Sequence, residues 1–368
     1  MTTPREAGYA MPAEWAAHDG CWMIWPERTD NWRCGAKPAQ AAFVLVASEI
    51  ARFEPVTMLV SARQFQNARA LLPASVRLVE LSTNDAWMRD VGPSFLLGPD
   101  GALGGVDWPF NAWGGLQGGL YFPWDLDDQV AAKLLELERA RRWRAPFIIE
   151  GGAIHVDGEG TVLVAEQCVL NANRNAGILR ENMEAMLRDY LGISTIIWLG
   201  QGVPGDETDG HIDNLACFIR PGMVLLSWCD DPADPHYAVS RDAEARLLAT
   251  RDAKGRTLVV ERITMPTPMF ITEDEAAGVD ATASGMNRAA GERMAASYVN
   301  YYIANGAIIA PCFGVATDAA AHAVLTKLFP GREIVMVPAR EILLGGGNIH
   351  CITQQQPGGQ PLTKRGQG

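Results

Sequence analysis

The residues best suited to chemistry stand in four short segments. Near the end of the chain, Gly345-Gly346-Gly347-Asn348-Ile349-His350-Cys351-Ile352-Thr353 places a thiol just after three glycines. Glycines let the backbone turn tightly and approach another group closely. A thiol delivered by such a turn to a strand end is placed to be a nucleophile; the plainer reading is a buried structural cysteine. Asp206-Glu207-Thr208-Asp209-Gly210-His211-Ile212-Asp213 sets four acids and a histidine in eight positions. In an extended strand, His211 and Asp213 share a side, which makes an acid/base and cation-binding pair. A zinc site is the rival reading, without a HExxH or CxxC beside it, and a plain acidic loop is the other. In Asn84–Ser94, Trp87 and Asp90 lie three apart and are neighbours on a helical turn. An indole face with a carboxylate suits a planar cation, although Asp90 could instead pair with Arg89 or cap a helix. Glu150 ends the apolar run Phe147-Ile148-Ile149 and meets Gly151-Gly152. It could point into a central cavity or sit on the surface.

Two carboxylates facing one pocket stay ionised together only if a cation neutralises them. A guanidinium does so, and its N–H donors match two carboxylates. Its central carbon then faces the thiol as an electrophile. The bound cation and His211 stabilise the thiolate. His211 can protonate departing ammonia and later deprotonate water.

The surrounding pattern must position these groups. Apolar runs at 21–25, 56–60, 76–81, 195–199 and 334–337 predict strands. Helical spacing predicts helices over 37–53, 62–71, 127–140, 181–191, 240–251 and 317–329. Pro99-Asp100-Gly101, Asp157–Gly160, Arg220-Pro221-Gly222 and Asn305-Gly306 mark hairpins; His155 falls in one of them and is read as a hairpin residue. Strand-turn-strand units recur near 87–105, 148–165, 210–228, 300–310 and 346–353, mostly with helices between. The chemistry-bearing residues sit at the inner turn or strand end of several units. This is the pattern of a repeat architecture around one axis. No linker divides the chain, so one α/β domain over 1–368 is expected, with an ordered core of about 8–357 and a frayed polar tail over 358–368. Residues 272–297 are a loop or lid.

Composition narrows the partners. The 368 residues are 48% hydrophobic with a net charge of −12. An acidic chain is a poor nucleic-acid partner and suits a small cation. Seven cysteines without a CxxC pair suggest no disulfide framework and a reducing cytoplasm. No stretch is long and apolar enough to be a membrane span, and no signal peptide opens the chain.

The motifs MPAEWAAHDGCWMIWPERTDNWR, NDAWMRDVGPSF, FNAWGG, EGGAIHVDGEGT, GDETDGHIDN and GGGNIHCITQQQP run in order from residue 11 to residue 357. In them the chain resembles the agmatine deiminases of the guanidino-group-modifying (pentein) superfamily. The resemblance implies a five-bladed pseudo-symmetric α/β propeller with a central active site. It also implies hydrolysis of agmatine to N-carbamoylputrescine and ammonia through an amidino-cysteine (thiouronium) intermediate, in arginine-derived putrescine synthesis. By resemblance Cys351 is the nucleophile, His211 the general acid/base, Asp90 and Asp213 the guanidinium carboxylates, Glu150 the acid that tunes the histidine, and Trp87 the aromatic beside the guanidinium. Gly346 and Asn348 count as substrate-binding positions, and Asp206 is the candidate for the distal amine. No cofactor or metal is implied, and a dimer-based homo-oligomer is. Gln117 departs from the pattern where an acid is expected, as does Arg144-Ala145-Pro146. Three rivals remain: the same scaffold acting on arginine or peptidyl-arginine, a metal hydrolase using His211, Asp213, Glu150 and Cys351, and a silent guanidine- or polyamine-binding protein. The acidic 206–213 loop offers no cation for the α-carboxylate of arginine.

Overall fold

The computed structural model describes residues 2–285 and 288–362. Its strands form five small sheets. Four have three strands each: β4 (Ser94–Leu97), β5 (Leu103–Asp107) and β6 (Arg141–Arg144); β7 (His155–Val156), β8 (Thr161–Ala165) and β9 (Thr195–Leu199); β10 (Ala216–Arg220), β11 (Met223–Trp228) and β12 (Val259–Thr264); β13 (Tyr302–Ala304), β14 (Ala307–Cys312) and β15 (Glu333–Pro338). In each, the first two strands make an antiparallel hairpin and the third joins in parallel. A parallel partner needs a crossover, and helices Val130–Leu137, Arg180–Leu191, His236–Ala249 and Asp318–Leu328 provide it.

The fifth sheet repeats the plan with the two ends of the chain. β16 (Gln354–Pro357) pairs antiparallel with β1 (His18–Ile24); β1 pairs parallel with β2 (Val56–Val60) across helix Lys37–Ile50, and β3 (Arg77–Glu80) adds an outer strand. The last strand thus completes the first sheet. The middle strands β2, β5, β8 and β14 are almost wholly buried, as expected of apolar runs covered on both faces.

A short turn precedes the first strand of each unit: Met88–Val91, Gly151–Ala153, Ile212–Leu215, 298–301 and 348–351. These five turns join in a ring. Gly152 N–H donates to Asp90 Oδ1 at 2.8 Å, and His211 Nε2 lies 3.4 Å from Glu150 Oε2. Asn300 Nδ2 donates to Asn214 Oδ1 at 2.9 Å, and His350 N–H to Asn300 Oδ1 at 2.9 Å. Arg89 N–H closes the circle on the carbonyl of Cys351 at 3.0 Å. The five-unit α/β expectation therefore holds, and the ring is where the units meet.

One expectation changes. The chain stays hydrogen-bonded beyond Pro357: Gln360 pairs with Gly101 and Leu103, and Leu362 N–H bonds to the Arg139 carbonyl. The part of the tail at 363–368 lies outside the described residues. The 272–297 segment is a loop carrying the capped helix Glu273–Ala277, with residues 286 and 287 outside the description.

Candidate active site

Each inner turn contributes to one buried cluster. Trp87 and Asp90 are neighbours on the turn Met88–Val91, as their spacing predicts, with Asp90 N–H bonded to the Trp87 carbonyl. Asp90 Oδ1 takes the Gly152 N–H, and Oδ2 accepts from Trp113 Nε1 at 3.0 Å. Burial pushes its carboxyl up to about 6; His211 opposes this, and the charges of Asp213 and Glu150 add to it. Trp113 is aimed by a left-handed backbone, with φ of 52° at Ala112 and 62° at Trp113. Such strain at non-glycine residues persists where surroundings fix it, commonly at functional sites. The Trp87 ring is pinned: its Nε1 donates to Asp85 at 2.9 Å, and it stacks on Trp32 with centroids 5.1 Å apart.

His211 and Asp213 do reach the same place, although not as an extended strand. His211 sits at the N-cap of the helical turn Ile212–Leu215. A Cβ at Gly152 would meet His211 Nδ1 at 2.4 Å, Asp213 Oδ2 at 3.0 Å and Asp90 Oδ1 at 3.0 Å. The space above Gly152 is where three functional groups converge, and only glycine leaves it open.

Glu150, fully buried, sits beside His211. Arg174 Nε donates to Glu150 Oε1 at 2.9 Å, while its other nitrogens hold Asp209 and the Thr208 carbonyl of the loop before His211. Burial would raise Glu150, but Arg174 and His211 outweigh it and bring the carboxyl down to about 2. Burial likewise pulls His211 down, but Asp90, Cys168 and Glu150 lift it well above the ordinary range. His211 is thus a charged acid in the resting site. Cys168 lies 4.0 Å from Glu150 Oε2.

Asp213 Oδ2 accepts from His350 Nδ1 at 2.9 Å and lies 3.6 Å from Cys351 Sγ. Its Oδ1 is buried and has no hydrogen-bond partner among the described residues. A buried acceptor left open next to a thiol is a place for a ligand N–H. Cys351 stands in the turn ahead of β16 and is 6% exposed. Asn300 Nδ2 points a donor at its sulfur at 3.3 Å. Burial, then Asp213 and Asp90, push the thiol well up, so it is protonated while the site holds no cation.

The glycine run packs over this cluster. A Cβ at Gly347 would lie 2.4 Å from the Trp87 ring, so any side chain there would displace the indole. Gly346, at φ 107°, would place a Cβ 2.5 Å from Glu207 Oε2. Arg288 grips Glu207 with two bonds of 2.6 Å, reaches the Gly345 carbonyl at 2.7 Å, and pairs with Asn31. It is a cation beside the glycine run that sequence reasoning did not foresee, and each of its three nitrogens is already engaged. A narrow cleft between Arg28, Trp87, Trp113, Tyr121 and Arg288 lies beside it.

Asp90, Glu150, His211, Asp213, Cys351 and Trp87 thus stand together. Asp206 does not face outward to a distal amine. Its Oδ1 accepts from Thr208, and its Oδ2 from His211 N–H and Asn214, so it builds the loop that carries His211. Asn348 likewise bonds within its own surroundings, to Ile349 N–H and the Ser297 carbonyl. Gln117 lies on the exposed turn Gly115–Gly118. Sequence reasoning missed Asn300, Trp113, Arg174 and Cys168. Asn300 alone carried a signal, since the repeat puts it at the inner turn of the fourth hairpin.

For a metal, the described residues bring Glu150, Cys168 and His211 within 4.8 Å of one another. This differs from the set that the rival metal-hydrolase reading would use, which included Asp213 and Cys351. Arg174 already holds Glu150, and its charge would repel a cation there. The arrangement suits tuning of His211 better than ligation.

The chain matches the family model of the Porphyromonas-type peptidyl-arginine deiminases over residues 10–357. It is 56% identical over 361 residues to the agmatine deiminase of Ectopseudomonas mendocina strain ymp, covering 98% of each chain. It is 56% identical over 358 residues to that of Pseudomonas aeruginosa strain LESB58, covering 97% of each. Among solved structures, the agmatine deiminase of Enterococcus faecalis superposes with a TM-score of 0.95 at 46% identity, over 97% of this chain and 98% of that one.

Proposed function

We propose that this chain, which belongs to the Porphyromonas-type peptidyl-arginine deiminase family, hydrolyses agmatine to N-carbamoylputrescine and ammonia. It is a hydrolase of C–N bonds in linear amidines, and it serves putrescine synthesis from arginine. One observation carries the chemistry: two carboxylates, Asp90 and Asp213, flank the open space at Gly152 beside the Cys351 thiol, and Asp213 Oδ1 has no partner among the described residues.

A guanidinium entering this space pairs with both acids. Its positive charge offsets much of the negative field of Asp213 and Asp90 that, after burial, holds the thiol protonated, so substrate binding itself favours the thiolate. As the cation binds, Cys351 gives up its thiol proton to solvent, to be regained when the product leaves, and the thiolate attacks the guanidinium carbon. His211, charged at rest, gives its proton to the departing ammonia, which leaves an amidino-cysteine. Neutral His211 then takes a proton from water, the hydroxide adds, and the thiolate leaves. Glu150 and Arg174 hold His211 in place. Trp87 lies against the guanidinium plane.

Agmatine is favoured over arginine and peptidyl-arginine by the enclosed setting and the relatives at 56% identity. Arg288 is tied to Glu207, Gly345 and Asn31, so its charge is not free to meet an α-carboxylate. The decisive test is ammonia release from agmatine, arginine and an N-acyl arginine amide in parallel. Turnover of agmatine far above the others supports the reading; preference for either of the others overturns the substrate and keeps the chemistry.

The chain reads as one domain because its last strand completes its first sheet. Seven free cysteines suit a reducing cytoplasm, and no described helix is long and apolar enough to cross a membrane. Leu116 and Phe122, 82% and 55% exposed near the Trp113 loop, suit an interface of a dimer-based homo-oligomer.

A further inference from the structure

The first and last motifs of the chain each hold a buried ionisable residue that the reaction above leaves unused: Glu14 in MPAEW and His350 in GGGNIHC. The fold brings them together. His350 Nδ1 lies 2.9 Å from Asp213 Oδ2, and His350 Nε2 lies 2.9 Å from Glu14 Oε1. Both partners are carboxylates, which only accept hydrogen bonds. His350 must therefore donate from both ring nitrogens, as an imidazolium between two acids. Glu14 is itself held from three sides: by His350, by His155 Nε2 at 3.6 Å, and by Arg89 at 3.5 Å. His155 Nδ1 accepts from Phe218 N–H at 3.2 Å, so its proton is on Nε2, facing Glu14. Burial opposes ionisation of both groups, but the opposite charges on either side hold Glu14 well below and His350 above their ordinary ranges.

This chain of contacts fixes one oxygen of Asp213. Its Oδ2 is taken by His350, and its Oδ1 is buried with no partner among the described residues. A free carboxylate could rotate about its terminal torsion, which is broad; one anchored at Oδ2 holds Oδ1 in a single direction.

We propose that His350, braced by Glu14, is a positioning residue that holds Asp213 so that Oδ1 is presented to the substrate guanidinium. The inference rests on Asp213 being a guanidinium carboxylate. It adds a line of support behind the site that runs Glu14, His350, Asp213, and ties both ends of the chain to catalysis. A stray rotation of Asp213 by one ångström is the kind of misplacement that costs about 100-fold in rate.

Two isosteres separate the two nitrogens of His350. The amide nitrogen of Asn takes the place of Nδ1, and that of Gln takes the place of Nε2. His350→Asn keeps the donor to Asp213 and loses the link to Glu14. His350→Gln keeps reach to Glu14 and loses the donor to Asp213. Agmatine kinetics, inhibition by plain guanidinium ion, and melting temperature are measured for both, beside Asp213→Asn. The expected result is a fall in kcat/KM of less than about tenfold for His350→Asn and of about 100-fold for His350→Gln. Guanidinium inhibition should weaken in the same order, with the melting temperatures of the two variants alike. Equal losses in both, tracking melting temperature, would make His350 a structural residue only and overturn the proposal. Near-native kinetics for both, or loss in His350→Asn alone, would also overturn it. If Asp213→Asn itself turned over agmatine normally, the clamp reading would fall first and the proposal with it. An inactive Asp213→Asn with no difference between the His350 variants would sink this proposal alone.

Discussion

Replacing Asp90 by Asn removes one charge of the guanidinium clamp and almost no volume. A unit charge pair about 4 Å apart at an effective dielectric of about 20 is worth about 4 kcal/mol. At 1.36 kcal/mol per decade that is about a thousandfold in kcat/KM. The same change should reach two neighbours. Asp90 is the first of the groups that lift His211 against its burial, so the basic limb of the rate profile should move down. It also helps to hold the Cys351 thiol protonated, so thiol alkylation in the absence of substrate should speed up. The acid limb is the sharpest mark. Asp90, at about 6 in the empty site, must be ionised to take a cation. In the wild type kcat/KM should therefore fall as pH drops through about 6, and in the variant that limb should vanish. Stability moves the other way. A folded pKa raised from 3.8 to about 6 means that the folded chain holds the proton more tightly than the unfolded chain. Stability is then lost as pH rises through that window, by about 3 kcal/mol. Asn escapes that loss but sets a donor against Trp113 or Gly152, at about 1–3 kcal/mol. The variant should be nearly inactive and no less stable at pH 7. Ammonia assays across pH and denaturant midpoints test this. Activity within tenfold of wild type, with the acid limb intact, would refute the clamp.

Gly152→Ala should abolish turnover by more than about 100-fold while costing about 1–3 kcal/mol, because its Cβ would fill the space shared by His211, Asp213 and Asp90; steady-state kinetics with a melting curve check both. Arg174→Met strips the buried partner from Glu150, and should cost about 3–5 kcal/mol by denaturant midpoint. It should also drop the His211 basic limb, as Glu150 loses the cation that keeps it ionised. Ammonia release should be unchanged by a chelator; loss of activity that returns with added metal would favour ligation by Glu150, Cys168 and His211.

The repeat is legible in the sequence because several units announce themselves twice, by a glycine-marked turn and by an apolar hairpin behind it. A charged residue at such a turn, next to a buried strand, is costly to enclose unless it meets a partner or a ligand at the centre. That is why Asp90, Glu150, His211, Asp213 and Cys351 can be named together. What stays hidden depends on backbone shape or on distant partners. Trp113 is a site residue only because Ala112 and Trp113 adopt left-handed φ. Arg174 and Glu14 act on groups 24 and 336 residues away in the chain, where no local spacing can show them. Asp206 departs from its expected role because its acceptors are used by N–H groups of its own loop, visible only once that loop is folded. The four-residue turn Ile212–Leu215 is too short for helical periodicity to register, so the spacing of His211 and Asp213 reads as a strand.

The most direct test of the chemistry is the intact mass of enzyme mixed with agmatine and quenched in acid, for wild type and Cys351→Ser, with ammonia assayed in parallel. Wild type should gain the mass of agmatine less ammonia, mapping to Cys351, and the variant should gain nothing and release no ammonia. An adduct on Cys168, or ammonia release that survives loss of the Cys351 thiol, would contradict the assignment of Cys351 as the nucleophile.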